Sequence, residues 1–399
     1  MADYKPADRI QDLQHLDEFG GVNPSISDSS TFAFQRAKTM EGVFEGEIEG
    51  CYLYARHWNP SNRWLSQSLA AMEGTESASV TASGMAAISS TLLQLCSAGD
   101  EIVASRTVYG GTYALLKNFL PRLGIETRFV DSTKPELIKA VMGPNTRVLY
   151  CETMSNPMLE VTDIRELASI AKDSNAQLVV DNTFAPLIFT PALMGADIVI
   201  HSLTKFINGM SDCVAGAICG PKVFIDSLYD VNQGSAMLLG PVLDSFRSAS
   251  ILKNMNTLHL RMKQHSSNAL YLAKRLEADG HRIIYPGLNS HPQHHLVKEM
   301  GNEQYGFGGL LVIDLGTTEK ANQFMEIAQE AGIGYLAVSL GFHKTLFSAP
   351  GGSTSSEIPE KEREEMGLTN GLVRISIGLD ENIERTYQNI RKCLKEVFK

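Results

Sequence analysis

The stretch DIVIHSLTKFINGMSD, residues 197–212, indicates both the fold and the place of its chemistry. An apolar run at 198–200 leads into Ser202 and Thr204, and the next residue is Lys205. A short run of consecutive β-branched residues is typical of a strand that is covered on both faces. A lysine at the end of such a strand is either an ordinary surface lysine or an amine held near a desolvated site. The two hydroxyl residues before it favour the second interpretation.

Strands of the same kind recur upstream, with helical patterns between them. The predicted strands lie at 77–84, 101–106, 126–131, 146–153, 177–182 and 197–202. Buried strands that alternate with helices predict a mainly parallel sheet covered on both faces, which is a three-layer α/β domain. Such domains bind ligands at the carboxyl ends of their strands. Asn156, Asp181 and Lys205 all follow predicted strands, so we expect them to share one site.

The remaining sequence predicts an arm and a second, smaller domain. Residues 1–60 show no sustained periodicity and are predicted to form an N-terminal arm. A long helical pattern at 253–280 is followed by alternating strand-like and helical segments, which is typical of an α+β domain. We therefore predict a large domain at 61–252 and a small domain at 253–399.

Composition excludes some classes of protein. The chain has 399 residues, of which 43% are hydrophobic and 20% charged, as in ordinary globular proteins. A net charge of −10 argues against binding to nucleic acids or anionic membranes. The six cysteines form no CxxC pair, which indicates free thiols in a reducing compartment. The first 20 residues lack an apolar signal-peptide core, and no run approaches the ~18 apolar residues of a membrane span. We expect a cytoplasmic protein, with the charge run at 357–367 as a solvated segment.

The residues around Lys205 indicate a particular chemistry. A lysine amine with a lowered pKa attacks carbonyl groups, and neighbouring hydroxyls bind phosphate, so a phosphorylated aldehyde cofactor would use all three side chains. Asp181 lies one strand–helix–strand step earlier and is either a cap or the partner of a cationic ring nitrogen. The turn SGMAA (83–87) begins a helix whose free N–H groups suit a phosphate. Neither GxGxxG nor GxxxxGK[ST] is present, which argues against dinucleotides and P-loop triphosphates.

Other polar residues have two interpretations each. Tyr109 is either a packed aromatic or a ring that stacks on the cofactor and donates a proton. Tyr54 and Arg56 are either surface residues or a phosphate-binding pair. Arg374 lies in a strand-like run, where a substrate carboxylate would be a suitable partner. The histidines of HPQHH (291–295) lack a helical i, i+4 pair, so we expect no metal site there.

Together these motifs resemble the Cys/Met-metabolism family of pyridoxal-phosphate (PLP) enzymes over nearly the whole chain. The general family likeness is carried by ASGMAAI, VYGGT, VVDNTFAP, SLTK, the Tyr–x–Arg of the arm, and AVSLG with LVRISIG. Within the family the chain is most similar to the plant-type methionine γ-lyases, through GVNPSI, YGGTYALL, HPQH, YGFGGLLVID and GGSTSSE. The resemblance implies fold type I, pyridoxal 5′-phosphate as cofactor, and a homotetramer built as a dimer of dimers with shared active sites.

The resemblance also implies a role for individual residues. Lys205 resembles the lysine that forms a Schiff base with the cofactor, Asp181 the partner of the pyridinium, and Tyr109 the stacking tyrosine. The positions that form the cradle for the cofactor phosphate are matched by Gly84, Met85, Ser202 and Thr204. Tyr54 and Arg56 match the pair that reaches the phosphate bound to the neighbouring subunit. Matching positions near the substrate are Asn156, Ser339 and Arg374.

The implied reaction is the γ-elimination of L-methionine to methanethiol, 2-oxobutanoate and ammonia, with Lys205, Tyr109 and Asp181 as catalytic residues. Cystathionine γ-lyase, O-acetylhomoserine sulfhydrylase and cystathionine γ-synthase activities are alternatives within the family. An aminotransferase and a catalytically silent cofactor-binding protein are alternatives of other classes. Gly111 stands where bacterial methionine γ-lyases typically have cysteine, and Lys344 stands where much of the family has glutamate. Substrate choice is therefore less determined than the chemistry.

Overall fold

The structure is a computed structural model that describes residues 4–45, 47–48, 50–352 and 359–399. The GGSTSSE motif and the first part of the 357–367 charge run therefore lie partly outside the described residues. The strands are β1 (Ser77–Thr81), β2 (Glu101–Ser105), β3 (Glu126–Val130), β4 (Thr146–Glu152), β5 (Gln177–Asp181), β6 (Ile198–Ser202), β7 (Gly216–Gly220), β8 (Arg282–Ile284), β9 (Leu310–Asp314), β10 (Gly334–Leu336), β11 (Thr345–Ser348) and β12 (Leu372–Ser376).

The α-helices lie between these strands and at both ends of the chain. They are α1 (Pro6–Gln11), α2 (Ala37–Phe44), α3 (Pro60–Glu73), α4 (Gly84–Leu95), α5 (Gly110–Ala114), α6 (Pro135–Val141), α7 (Ile164–Asp173), α8 (Lys222–Ser227), α9 (Ser235–Leu239), α10 (Ser245–Met255), α11 (Leu258–Ala278), α12 (His294–Met300), α13 (Thr318–Glu330), α14 (Glu360–Glu365) and α15 (Ile383–Val397).

The larger sheet has seven strands in the order β1-β7-β6-β5-β4-β2-β3. Strand β7 is antiparallel to both of its neighbours, and the other strands of the sheet run parallel. The central strands are almost fully buried, as their continuous apolar sequences predict. Their carboxyl ends meet at one edge, where Glu152 is in register with Asp181, and Asp181 with Ile200. This register places the side chains that end β4 and β5 side by side.

The second sheet has five strands in the order β10-β11-β12-β9-β8. It is mostly antiparallel and packs with α11, α13 and α15 around a hydrophobic cluster of its own. The predicted α/β class, with a mainly parallel sheet and a smaller α+β unit, is confirmed. The domain boundaries at 60/61 and 252/253 stay a prediction.

Two predicted helices differ from those in the structure. The sequence WLSQSLAAMEG, residues 64–74, predicts an amphipathic helix, and the observed helix α3 begins earlier, at Pro60. It starts there because Asn59 accepts a bond from the Ser61 N–H and a proline is favourable in the first helical turn. The pattern at 253–280 contains parts of two helices, α10 and α11, with a break at Asn256 and Thr257. Among the described residues, no helix is long and apolar enough to cross a membrane.

Candidate active site

A cavity of about 270 Å³ lies at the carboxyl ends of β4, β5 and β6 and extends to β12 of the small sheet. Most of the predicted site residues line it; these are Gly84, Met85, Tyr109, Asn156, Asp181, Ser202, Thr204, Lys205, Ser339 and Arg374. Residues far apart in sequence thus share one surface, while their individual roles stay a prediction.

Lys205 follows β6 on a turn and projects into the cavity. Its Nζ donates to Ser339 Oγ at 2.8 Å, so the turn after β6 contacts the loop between β10 and β11. Burial, with a smaller contribution from the positive charge of Arg374, lowers the pKa of Lys205 to about 8. A lysine with this pKa is partly neutral near physiological pH, which is the form that can attack a carbonyl.

Asp181 ends β5 and is buried, with Oδ1 accepting the N–H of Thr183 at 2.9 Å. Desolvation raises the pKa of Asp181, although the Thr183 hydrogen bonds and the field of His201 oppose that shift. Among the described residues, no cation forms an ion pair with it. A buried carboxylate in this setting suits a positively charged ligand atom, because such a partner offsets the cost of burial.

The start of α4 and the turn after β6 form a cradle for an anion. Ser83 caps α4 by accepting the N–H of Ala86 at 3.0 Å, and the following N–H groups face the cavity end of the helix. A Cβ on Gly84 would lie 2.8 Å from Ser202 Cβ, so only glycine allows this close approach. Thr204 is fixed by the Ala215 backbone, which donates to its Oγ1 at 3.0 Å.

Tyr109 borders the cavity with a partly exposed ring, and its backbone N–H donates to Glu152 Oε1 at 2.7 Å. Gly111 lies beneath this ring. A Cβ on Gly111 would lie 2.6 Å from Tyr109 Cε1 and 3.2 Å from Met85 Sδ. The observed ring position therefore requires glycine at 111.

Arg374 lies in β12 and is almost fully buried. It donates to Asn156 Oδ1 at 3.0 Å and to the Ser339 carbonyl at 3.1 Å. Burial lowers the pKa of Arg374 to about 10, and no carboxylate among the described residues pairs with it. Ser339 has a φ of 95°, a conformation that non-glycine residues rarely adopt, and its bonds to Arg374 and Lys205 hold it there. A ligand carboxylate would supply the missing charge.

Tyr54 and Arg56 do not line this cavity. The Arg56 side chain instead donates to the Met237 carbonyl at 2.7 Å and lies over the Tyr54 ring at 5.7 Å. Lys344 is also directed elsewhere, because its Nζ donates to the Gly332 carbonyl at 2.9 Å.

The HPQHH histidines make ordinary structural contacts. The ring of His294 stacks on Phe307 at 5.3 Å, and its Nδ1 lies 2.7 Å from the Pro286 carbonyl oxygen. In the described part of the chain, no three His, Cys, Asp or Glu residues could together hold a metal ion.

Sequence reasoning missed several residues of the cavity. The polar ones are Ser83, Glu152 and Thr183, and the apolar ones are Ile88, Met154, Phe184, Val214, Val338 and Leu340. Glu152 could have been found, because it follows the apolar run of β4 as Asp181 follows that of β5. The apolar residues carry no comparable signal, since core and cavity positions look alike in sequence.

The residues present fit a phosphorylated pyridine aldehyde. The α4 cradle suits the phosphate, Asp181 suits a cationic ring nitrogen, and Lys205 is an amine able to bond to the aldehyde carbon. A three-layer α/β fold with this constellation defines a PLP-dependent enzyme.

Comparison with known proteins agrees with that class. Residues 8–395 match the model of a family described as Cys/Met metabolism PLP-dependent enzyme. The chain therefore belongs to the Cys/Met metabolism family of PLP-dependent enzymes, and its cofactor is pyridoxal 5′-phosphate. The fold type I architecture and the cofactor predicted from the sequence are thus confirmed.

Individual relatives span nearly the whole chain. Methionine gamma-lyase of Arabidopsis thaliana is 45% identical, covering 98% of this chain and 91% of the relative. Cystathionine gamma-lyase of Bacillus subtilis is 36% identical, covering 95% of each. A Campylobacter jejuni candidate O-acetylhomoserine (thiol)-lyase, solved with N′-pyridoxyl-lysine-5′-monophosphate, has a TM-score of 0.90 at 26% identity, covering 98% of this chain and 100% of that one.

Proposed function

We propose that this enzyme catalyses the γ-elimination of L-methionine to methanethiol, 2-oxobutanoate and ammonia. The observation that carries the proposal is the buried Arg374, which lacks a carboxylate partner among the described residues and lines the same cavity as Lys205. This pair suits an α-amino acid, because the guanidinium would bind the carboxylate while the lysine faces the α-carbon.

The rest of the cavity favours an uncharged side chain. Val214, Val338 and Leu340 line it and present apolar surface to a ligand. Lys344, which could have offered a distal charge, is bound to the Gly332 carbonyl. Methionine has an uncharged thioether, whereas cystathionine has a second charged amino-acid group that this wall would leave unpaired. The similarity to a methionine gamma-lyase over 98% of the chain supports the same choice.

The roles of the residues follow from their positions. Bound PLP supplies an electron sink that stabilises negative charge at the α-carbon. Arg374 binds the substrate carboxylate and orients the Cα–H bond toward Lys205 Nζ, which accepts the proton. Asp181 keeps the ring nitrogen protonated by holding a negative charge beside it. Tyr109 donates its hydroxyl proton to the sulfur of the departing methanethiol.

We also propose that the active form is a homotetramer whose sites are shared between subunits. Tyr54 and Arg56 lie outside the cavity of their own chain, which is the arrangement expected if they complete the cavity of a neighbour. Exposed apolar residues near Arg56 support such an interface; these are Leu238, Leu239 and Val242. A cytoplasmic location is proposed from the six cysteines, all of which are free thiols.

The proposed reaction is tested by analysing the products of the PLP-loaded enzyme with a panel of substrates. Methionine should yield methanethiol and 2-oxobutanoate in equal amounts and faster than the alternatives react. Cysteine from cystathionine at a higher kcat/KM would instead indicate a cystathionine γ-lyase. Homocysteine from O-acetylhomoserine and sulfide would indicate a sulfhydrylase, and pyridoxamine phosphate without thiol release would indicate an aminotransferase.

Two variants test the assigned residues. Lys205→Ala should abolish covalent cofactor attachment, which mass spectrometry after borohydride reduction detects. Tyr109→Phe should lower kcat by about 10²-fold or more, the range expected for a lost proton donor. Tyr113→Phe is the matched control, because the Tyr113 hydroxyl bonds to Glu362 and does not line the cavity. Full activity of Tyr109→Phe would show that another group protonates the thiol.

A further inference from the structure

Glu152 is a buried carboxyl group in the cavity to which the proposed reaction gives no role. It ends β4 in register with Asp181 at the end of β5, so both side chains lie on the same face of the sheet. Both line the cavity, and both are buried. Neighbouring parallel strands are about 4.8 Å apart, so the two carboxyl groups are close neighbours.

The Glu152 side chain joins two segments of the site. Its Oε1 accepts the Tyr109 N–H at 2.7 Å, and its Oε2 accepts the Asn156 N–H at 3.1 Å. Tyr109 lies between β2 and α5, immediately before the helix, whereas Asn156 follows β4. One side chain thus sets the distance between the proposed proton donor and the residue that contacts Arg374.

Two adjacent buried carboxyl groups resist simultaneous ionisation, because each negative charge disfavours the other. Desolvation and the nearby Asp181 hold the pKa of Glu152 well above its usual range, although the two backbone N–H bonds that Glu152 accepts favour its charged form. The pKa of Asp181 is also raised by desolvation, but the Thr183 hydrogen bonds and His201 favour its charged form. The neighbouring titratable or charged groups are Tyr109, Lys205 and Arg374 across the cavity, and Tyr150 and Cys151 on β4. A cationic ring nitrogen beside Asp181 would lower the pKa of Asp181 and so favour the proton on Glu152.

We propose that Glu152 is a positioning residue that ties Tyr109 to Asn156 and that stays protonated, so that the negative charge resides on Asp181. The neutral carboxyl keeps both backbone N–H bonds without adding a second negative charge near the cofactor ring. The proposal rests on the proposed position of that ring against Asp181.

The protonation state can be measured on the wild-type holoenzyme without any amino-acid substrate. Cell-free synthesis with carboxyl-¹³C glutamate, or separately with carboxyl-¹³C aspartate, labels one residue type at a time. The infrared band of a buried protonated carboxyl should shift with labelled glutamate. A shift with labelled aspartate alone, or no such band, would overturn the assignment of the proton to Glu152.

Glu152→Gln tests both parts of the proposal. Glutamine is neutral and keeps one of the two acceptors, so the pH midpoint of the cofactor's visible absorption should stay within about 0.3 units of wild type. An ionised Glu152 would instead make this substitution move the midpoint by about one unit or more. The loss of one buried hydrogen bond should lower kcat about tenfold, with little effect on KM because Arg374 is intact.

Glu160→Gln is the matched control. Glu160 is a partly buried glutamate in the loop after β4, and its Oε2 accepts the Thr107 hydroxyl at 2.8 Å, but it does not line the cavity. This variant should keep wild-type kcat and the infrared band that Glu152→Gln loses. Equal losses of kcat and of the infrared band in the two variants would show that Glu152 has only an ordinary structural role. If methionine is not cleaved, the infrared and pH measurements still decide this proposal, and kcat is measured with whichever panel substrate reacts.

Discussion

Lys205 lines the cavity together with residues from both halves of the chain. Its amine donates to Ser339, in the loop between β10 and β11, and its pKa of about 8 is set first by burial and second by Arg374. Its proposed role as the reactive lysine comes from sequence, because an amine directly after a buried strand and two hydroxyls has few structural explanations. Its contact with Ser339 was not predictable, since it depends on how the two sheets pack.

The lowered pKa gives a pH prediction for the apoenzyme. Only the neutral amine attacks an aldehyde, so the rate of PLP reconstitution should rise with pH and level off above a midpoint near 8. Arg374→Gln removes a nearby positive charge and should move the midpoint upward, though not as far as the usual lysine pKa because burial remains. Stopped-flow absorbance measures both curves.

Arg282→Gln is the control for that experiment. Arg282 is an exposed residue that pairs with Asp314 at 2.9 Å, away from the cavity. The pH midpoint of PLP reconstitution in Arg282→Gln should equal that of the wild type. A wild-type midpoint above pH 10 would contradict the lowered pKa of Lys205.

At the scale of the element, α11 supports the turn that carries Lys205. The buried Arg261 of α11 donates to the carbonyls of Phe206 and Ile207, the latter at 2.8 Å, and to that of Asn254 at 3.0 Å. Gly209 has a φ of 72°, and a Cβ there would overlap the Arg261 guanidinium. A helix of the C-terminal half thus holds the turn in place through backbone carbonyls.

Replacing Arg261 should loosen that turn. In Arg261→Met the buried carbonyls lose their donor, so the Kd for PLP should rise about tenfold or more and Tm should fall. Arg261→Lys, which keeps the charge but not the planar fork, should recover only part of the affinity. Absorbance titration and calorimetry measure the two effects. Arg275→Met, on the exposed side of the same helix, is the control; equal effects in both variants would exclude a specific role for Arg261.

The elements differ in how far the sequence determined them. The parallel strands β2, β4, β5 and β6 were predictable because each contains a continuous apolar run and lies between helical patterns. Strand β7, with the sequence GAICG, was not, because it starts and ends in glycine and pairs antiparallel between two long-range neighbours. Strands β8 and β10 have three residues each and are too short to show a period. The pairing of Glu152 with Asp181 depends on strand register, which no local pattern specifies.

At the scale of the whole molecule, one chain does not supply every predicted residue to its own cavity. Tyr54 and Arg56 lie on a separate surface, beside the Met237 carbonyl. Sequence similarity predicts that this pair binds the cofactor phosphate. It could not predict that the pair lies outside the cavity that contains Lys205 of the same chain.

Shared sites predict complementation between two inactive variants. In the proposed dimer, each site takes Lys205 from one subunit and Arg56 from the other. A pair of one Lys205→Ala subunit and one Arg56→Ala subunit therefore has one intact site and one site that lacks both residues. Random pairing at equal amounts should restore roughly one quarter of wild-type activity. Co-production of the two variants with the same affinity tag and an assay of the unselected enzyme checks this. Lys205→Ala with Asp181→Ala is the control and should restore nothing, because both residues line the same cavity; no restoration in either mixture would mean that Arg56 serves its own chain or none.

Gly111 limits the routes by which this active site can change in evolution. A Cβ at this position would lie 2.6 Å from Tyr109 Cε1, so a larger residue requires this partly exposed ring to shift. A substitution at 111 therefore changes the position of the tyrosine ring in the same mutational step. Among descendants of such an enzyme, the residue at 111 and the tilt of the tyrosine ring should be inherited together as one trait.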